Sequence, residues 1–461
     1  MMTLAEAAQA IGGDLSDAST GSLTFTSVGT DTRASLSHSL YIALRGERFD
    51  GHDFLTQAIS SGAVAAMVER TARLAAPHKF PLLHVDDTRL GLGKLGGHWR
   101  NKFAIPVVGI TGSNGKTTVK EMCAAILRVE HNVLATQGNL NNDIGLPQML
   151  LRLRTEHRAA VLEMGMNHPG EIAYLAALAK PTVAVVTNAQ RAHLEGMGEI
   201  AKVAIEKGSI YDALGTDGVA VINADDAHAG YWRSINTTRR VVSFGVTNDA
   251  DVSATFTQLA FGSRVSMRTP NGTTSFDLPV PGQHNVRNAL AAAAATLAAG
   301  ASLDAVVAGL SAYSGTKGRL QVRAAKKGAV LLDDTYNANP DSVRAGIDVL
   351  AATAGRKILV LGDMGEIGDI SAQCHDEVGG YAKSQGVDNL LALGDNSAIA
   401  ARNFGSGGEH FTEVEDLLRN LERMLAPEVV VLVKGSRFMK MERVSDAIAT
   451  DKSATDKPGK K

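Results

Sequence analysis

Thr111-Gly112-Ser113-Asn114-Gly115-Lys116-Thr117-Thr118 stands where an apolar run ends and a helical pattern begins. Before it, Ile105-Pro106-Val107-Val108-Gly109-Ile110 reads as a buried strand; after it, Val119, Met122, Cys123, Ile126 and Leu127 recur at helical spacing. A glycine-bearing turn from strand to helix lets backbone N–H groups turn inward on an anion. The helix terminus adds partial positive charge and Lys116 a full one. Thr117 is the residue type that ligates the Mg2+ of a bound nucleotide. The general phosphate-loop pattern asks for a glycine five residues before Gly115, where this chain has Ile110. The loop is therefore a variant, and by itself it leaves the reaction open.

Outward from the loop, a chain of 461 residues accommodates two to four domains, and three is the working division. Forty-six basic against 48 acidic residues give a formal charge of −2, no field that would gather nucleic acid or an anionic membrane, so small partners are expected. Two cysteines, Cys123 and Cys374, make neither a disulfide framework nor a zinc site and fit a reducing cytoplasm. The N-terminus lacks a basic start followed by an apolar core; Leu4, Ala8 and Ile11 instead mark a short amphipathic helix. The longest nonpolar stretch, 289–301, is alanine-rich and too short for a membrane span, so a packed helix and no membrane insertion are expected.

The expected fold class is α/β in three domains. A small N-terminal α/β domain occupies 1–88, with short segments at 39–44, 63–68 and 82–85. A central mononucleotide-binding domain occupies 89–313: a helical stretch at 90–100 leads into the loop, and strands at 159–162, 183–187 and 219–223 alternate with helical patterns, which predicts a mostly parallel sheet. Between 252 and 278 the pattern alternates, with turns expected at Gly262-Ser263 and Asn271-Gly272, so a small antiparallel flap is inserted there. Residues 314–318 read as a hinge into a Rossmann-like C-terminal domain, 314–450, with strands at 330–333, 358–361, 390–393 and 429–433. The polar tail 451–461 reads as disordered.

Chemistry-bearing residues gather at strand ends, where ligands bind in such sheets. Glu163 follows Ala159-Ala160-Val161-Leu162; its carboxylate can hold Mg2+ facing the phosphates, or be a solvated strand-end group. His193, in Asn188-Ala189-Gln190-Arg191-Ala192-His193, is a candidate second ligand, although a lone loop histidine usually is not one. Asp333-Asp334-Thr335-Tyr336-Asn337-Ala338-Asn339-Pro340 puts a carboxylate and several amides at the third domain's edge, or forms a helix-capped turn. Gly282-Gln283-His284-Asn285-Val286-Arg287-Asn288 is either a ligand contact or an N-cap. Lys434-Gly435-Ser436-Arg437 suits a carboxylate or phosphate, with a surface basic cluster as the rival reading.

Together these motifs resemble the Mur ligase family over about residues 1–449. The family-wide signatures are the loop, Glu163, His193, the 282–288 segment, Arg319, and Asp334 with Asn337. Gly138-Asn139-Leu140-Asn141-Asn142-Asp143-Ile144-Gly145, the 334–340 run, Gly362-Asp363-Met364-Gly365-Glu366, and Lys434 to Arg437 followed by Met441-Glu442 resemble its D-alanyl-D-alanine-adding branch. The resemblance implies a cytoplasmic, monomeric, ATP- and Mg2+-dependent peptide ligase of cell-wall peptidoglycan synthesis. Its partners would be UDP-N-acetylmuramoyl-tripeptide and D-alanyl-D-alanine, joined through an acyl phosphate. It implies that Lys116, Lys207, His193 and Asp334 are catalytic. Thr111, Gly112, Ser113, Asn114, Gly115, Lys116, Thr117 and Thr118, with Asn285, Asn288, Arg319, Asp334 and Asn337, would bind ATP. Thr117, Glu163, His193 and Lys207 would serve the metals, Lys207 as a carbamate, although on its own it reads as a surface lysine. Asp31, Thr32, Arg33, Asp50, His52, Asn141, Asn142, Lys434, Ser436 and Arg437 would meet the substrates.

The chain departs from the family pattern at His38, usually glycine, at Tyr41, usually phenylalanine, and at 188–191, usually a glycine-containing turn. A folylpolyglutamate-synthase-like ligase and a regulatory phosphate-loop NTPase are the competing readings. Nucleotide contacts split across the 313–318 hinge predict that the third domain closes on the second.

Overall fold

Val-Ala-Val-Val at Val183–Val186 and Val-Val-Val-Leu-Val-Lys at Val429–Lys434 are buried at every residue. Branched side chains suit the pleated backbone, and a continuous apolar run requires cover on both faces. In the computed structural model, which describes residues 1–74 and 79–450, these runs lie inside two different sheets, and a third sheet precedes them. The expected disordered tail falls outside the described residues.

The chain starts on helix Leu4–Ile11, capped by the Thr3 hydroxyl and ended by Gly12, with Leu4, Ala7, Ala8 and Ile11 inward. A five-stranded sheet follows in the order Asp14–Leu15, Leu82–Val85, Ala65–Glu69, Ser39–Ile42, Ser27–Gly29; all its pairings are parallel except the first. His38 takes φ +54°, the backbone region that glycine occupies at little cost, so the departure from the family pattern keeps the turn's conformation. Tyr41, fully buried, donates its hydroxyl to Gly51 O at 2.8 Å and so ties down the segment before His52.

Helix Thr88–Arg100 joins this unit to the next. Leu92, Leu95 and Trp99 belong to one core shared by the first sheet and one face of the central sheet. The central sheet has nine strands: Gly272–Leu278, Gly262–Thr269, Val252–Leu259, Arg240–Gly245, Val219–Asn223, Val183–Val186, Val107–Thr111, Ala159–Glu163, Val133–Ala135. Its last seven members pair in parallel; the first two are antiparallel. The expected flap is thus a hairpin extension of the main sheet, and its turns differ from expectation. Gly262 already pairs with Leu259 and Gly272 with Thr269, so Ala260-Phe261 and Pro270-Asn271 make the connections. Phe261 packs into the third unit's core, an anchor that sequence alone does not reveal. The alanine-rich helix begins at Gln283, earlier than expected, and with helix Lys116–Leu127 covers the sheet's other face.

The third sheet runs Gln321–Ala324, Val330–Asp334, Val429–Lys434, Arg356–Gly362, Asn389–Leu393, Gly408–Phe411, parallel except at its first pair. Parallel strands deliver their carboxyl ends to one edge. Glu163 aligns with Ile110 and Val186 with Thr111 in the central sheet, and Asp334 aligns with Lys434 in the third. These two edges face each other. No helix among the described residues is long and apolar enough to cross a membrane.

Candidate active site

The loop between strand Val107–Thr111 and helix Lys116–Leu127 is shaped by two glycines. Gly112 lies at φ +149°, and a Cβ there would sit 1.8 Å from Thr187 Oγ1; Gly115 lies at φ +83°, and a Cβ would sit 2.4 Å from Asn288 Oδ1. Neither position admits a side chain. No side chain caps the helix that starts at Lys116, so its first N–H groups are left to a ligand. Asn188 and Gln190 brace the loop: Ser113 N–H donates to Asn188 O at 3.0 Å, Asn114 N–H to Asn188 Oδ1 at 2.9 Å and Asn114 Nδ2 to Gln190 Oε1 at 2.7 Å. Lys116 Nζ donates to Gly112 O at 2.6 Å, and burial lowers its pKa against the pull of Glu163.

Glu163, 3% exposed, accepts from Asn141 Nδ2 at 2.8 Å on Oε1, while Oε2 has no partner. Thr111 Oγ1 and Arg319 Nε are likewise buried without partners among the described residues. A buried polar atom left unpaired costs about 1–3 kcal/mol. Three of them beside a phosphate-type loop fit a metal–nucleotide ligand that supplies the missing partners. Among the described residues no three of His, Cys, Asp and Glu converge as a metal cage. Thr117 Oγ1 accepts from Arg319 Nη2 at 3.3 Å across the two units.

The third sheet supplies the opposite wall. Lys434 Nζ bonds Asp334 Oδ2 at 2.5 Å and Asn337 O at 2.9 Å; burial lowers its pKa against Asp334. Arg319 stacks on Tyr336 at 4.0 Å. Asn339 caps helix Pro340–Ala351 in a full capping box and also donates to Asn114 Oδ1 at 2.8 Å, so the turn reading and the ligand-edge reading are both met. Arg191 clamps the units together, reaching Asp341 at 2.7 Å and Glu377 at 2.8 Å; it is the first cause holding Glu377 down to about 2. His193 Nδ1 lies 2.9 Å from Glu366 Oε2. Burial, with Lys116 and Lys207 nearby, lowers the His193 pKa despite Glu366.

Between the walls lies a cavity of about 690 Å³, lined among others by Lys116, Glu163, His193, Asn288, Asp334 and Lys434. Asn141 and Asn142 line it from the 139–143 loop, where Asn142 Oδ1 also caps Gly145 N–H. Asn285 and Asn288 lie in the first turns of the alanine-rich helix and bond each other at 3.2 Å. Lys207 is 1% exposed on helix Ile200–Gly208, not at the surface, and its pKa falls well below the ordinary value through burial and then Lys116. Its neighbour Glu206 instead accepts Gly170 and Ile172 N–H, fixing that helix to the start of helix Glu171–Ala179.

Three family-model matches cover the chain in succession: the Mur ligase family catalytic domain at 24–100, the Mur ligase middle domain at 110–296 and the Mur ligase glutamate ligase domain at 318–437. The UDP-N-acetylmuramoyl-tripeptide--D-alanyl-D-alanine ligase of Escherichia coli K12 is 43% identical over 452 residues, 97% of this chain and 98% of that one. The chain belongs to the Mur ligase family. A crystal structure of MurF from Acinetobacter baumannii superposes with TM-score 0.91 at 37% identity, covering 97% of this chain and 98% of that chain. MurF from Thermotoga maritima, solved in complex with ADP, superposes with TM-score 0.81 at 27% identity, covering 92% and 97%.

Within this Mur ligase, several expected substrate residues lie away from the cavity. Asp31 and Arg33 pair with each other at 2.7 Å on the N-terminal surface, and Thr32 O accepts from Ser61. His52 is 4% exposed with both ring nitrogens engaged, Nδ1 with Asp50 at 2.5 Å and Nε2 accepting Glu69 N–H at 2.9 Å. Both ring nitrogens are thus taken up within the N-terminal unit. Ser436 Oγ is also committed, accepting Gly365 N–H at 2.6 Å and donating to Ala338 O at 3.1 Å, while Arg437 is exposed beside it. Sequence reading missed Glu366, Tyr336 and His284 as cavity residues. All three lay inside motifs already quoted, and Glu366 shows its role only through His193 of the central unit.

Proposed function

We propose that the chain is an ATP-dependent peptide ligase that joins D-alanyl-D-alanine to UDP-N-acetylmuramoyl-tripeptide, releasing ADP and phosphate. One observation carries this: an uncapped helix N-terminus, Lys116 and the unpartnered Glu163 oxygen open on a single cavity that the third sheet closes. The named activity of the E. coli relative supports the choice of substrates. The chain divides into an N-terminal unit for the UDP end (1–88), an ATP-bearing unit (89–313) and a closing unit (314–450).

A carboxylate is a poor electrophile, and bringing it to a triphosphate sets two anions together. Lys116 and the loop N–H groups offset that repulsion and the charge that develops on phosphoryl transfer. The tripeptide's terminal carboxylate takes the γ-phosphoryl group, the dipeptide amine adds to the acyl carbon and loses a proton, and phosphate leaves. Bound Mg2+ supplies charge neutralisation at the phosphates. Thr117 and Glu163 would hold one ion, and His193 with Lys207 as a carbamate would hold a second.

Lys207 is suited to that modification. Burial disfavours its ammonium, and only the neutral amine adds carbon dioxide to become an anionic oxygen donor. Asn285 and Asn288 would meet the adenine; Arg319, Asp334 and Asn337 the ribose and phosphates; Asn141 and Asn142 the tripeptide. Asp31, Arg33 and Asp50 would meet the UDP end, and Lys434 and Arg437 the dipeptide or acyl phosphate. One chain supplies every one of these groups, so we assign a monomer, working in the cytoplasm where its nucleotide substrates are.

Phosphate release measured with the tripeptide nucleotide, with and without D-alanyl-D-alanine, tests the assignment. Release should require both. Release independent of the dipeptide would mark a regulatory NTPase, and turnover only with a pteroyl substrate and glutamate would mark a folate ligase.

A further inference from the structure

The incoming dipeptide is a zwitterion, and its ammonium must be brought beside the activated carboxyl. Six acidic residues line the cavity: Asp143, Glu163, Glu171, Asp334, Asp341 and Glu366. Three are matched by a lysine or arginine, Asp143 by Arg89, Asp334 by Lys434 and Asp341 by Arg191. Glu163 is buried at the metal position. Glu171 is spent at its own helix start, where Oε2 accepts Asn167 and His168 N–H.

Glu366 remains. Its side chain is 54% exposed, and its side-chain partner is an imidazole, His193, instead of a lysine or arginine. The residue is held in a left-handed conformation, φ +61°, opposite His193 at φ +58°, and its carbonyl accepts Glu195 N–H at 3.4 Å. Non-glycine residues keep such conformations where surrounding contacts over-determine them, commonly at ligand sites. The neighbouring Gly365 N–H is bonded to Ser436 Oγ, which ties the segment carrying Glu366 to the turn after strand Val429–Lys434, where Arg437 is paired with Glu442 at 2.8 Å.

Resting on the reaction assigned above, we propose that Glu366 receives the ammonium of the incoming dipeptide. Ion pairing at Glu366 sets the nitrogen beside His193 and Lys116, at the end of the cavity where the tripeptide's carboxyl is activated. The third unit thus carries the nucleophile in as it closes.

Calorimetry on the enzyme loaded with tripeptide nucleotide and a non-hydrolysable ATP analogue tests this, comparing wild type, Glu366→Gln and Glu366→Ala. The ligands are D-alanyl-D-alanine and propionyl-D-alanine, which lacks only the amine. Both variants should bind D-alanyl-D-alanine about 30-fold more weakly, the scale of one charge-assisted hydrogen bond. Propionyl-D-alanine should bind wild type and variants alike. Equal weakening of both ligands, unchanged dipeptide affinity, or a raised Mg2+ requirement in its place would overturn the proposal. A wild-type enzyme that hydrolyses ATP but neither binds nor ligates the dipeptide would overturn the assigned reaction itself, and the proposal with it.

Discussion

Thr111 Oγ1, Glu163 Oε2 and Arg319 Nε, three of the six buried side-chain atoms without partners among the described residues, meet where the central and third sheets face each other. In the N-terminal unit the polar residues singled out from sequence are satisfied internally: Asp31 by Arg33, Asp50 by His52 and Arg45, His52 by Asp50 and Glu69. Both regions hold charged and polar side chains in motifs of the same family. The difference is who supplies the partner. Beside the phosphate loop the partners are left to a ligand, whereas in the N-terminal unit the fold already supplies them and an arriving substrate has to share or displace them.

Substitutions should separate the two regions. The largest effect is expected at Lys116→Ala, which removes the loop's cation: turnover should fall by at least about 10³-fold, while thermal unfolding holds or rises because a buried charge is gone. Substantial destabilisation with residual turnover would erase the contrast. Lys207→Ala should cost roughly 100-fold in activity, on the scale of lost metal-site support, with partial recovery on adding short carboxylates. Full activity without supplement would remove the carbamate.

His52→Ala should behave oppositely, losing about 1–3 kcal/mol of stability through an unpaired Glu69 N–H and a freed Asp50, with kcat retained. A raised KM for the tripeptide nucleotide at unchanged stability would return His52 to the substrate.

The smallest effect concerns pH. Burial pushes the His284 imidazole down to about 4 in the folded protein, against an ordinary value near 6.5. Between those values the unfolded chain binds more protons than the folded one, so this contribution is complete above about pH 6.5 and is lost as pH falls towards 4. Unfolding temperature measured from pH 7 to 4 should therefore decline less steeply in His284→Asn than in wild type. Parallel curves would show that the imidazole is not held neutral by the fold.

The buried parallel strands were legible because cover on both faces leaves continuous apolar runs; Val183–Val186 and Val219–Asn223 appear almost as expected. Gln321–Ala324 and Gly408–Phe411 were not, since these edge strands are only partly buried and carry no run or alternation. The turn expected at Gly262-Ser263 falls at Ala260-Phe261, where Phe261 packs against another unit's core. Asn339-Pro340 was read as either a cap or a ligand edge, and its side chain does both by capping a helix and bonding Asn114.

The sequence by itself determined the local parts: the phosphate loop, the strand-end carboxylates Glu163 and Asp334, and the family they spell. Those follow from short-range rules, a glycine where a Cβ has no room and a carboxylate one residue past an apolar strand. The tertiary structure alone decided which polar groups are spent and which are free. Lys207 became a buried amine, His52 a supporting ring and Glu366 a reachable carboxylate. The physical reason is that desolvation and hydrogen-bond satisfaction depend on neighbours brought from distant parts of the chain, and no local pattern encodes them.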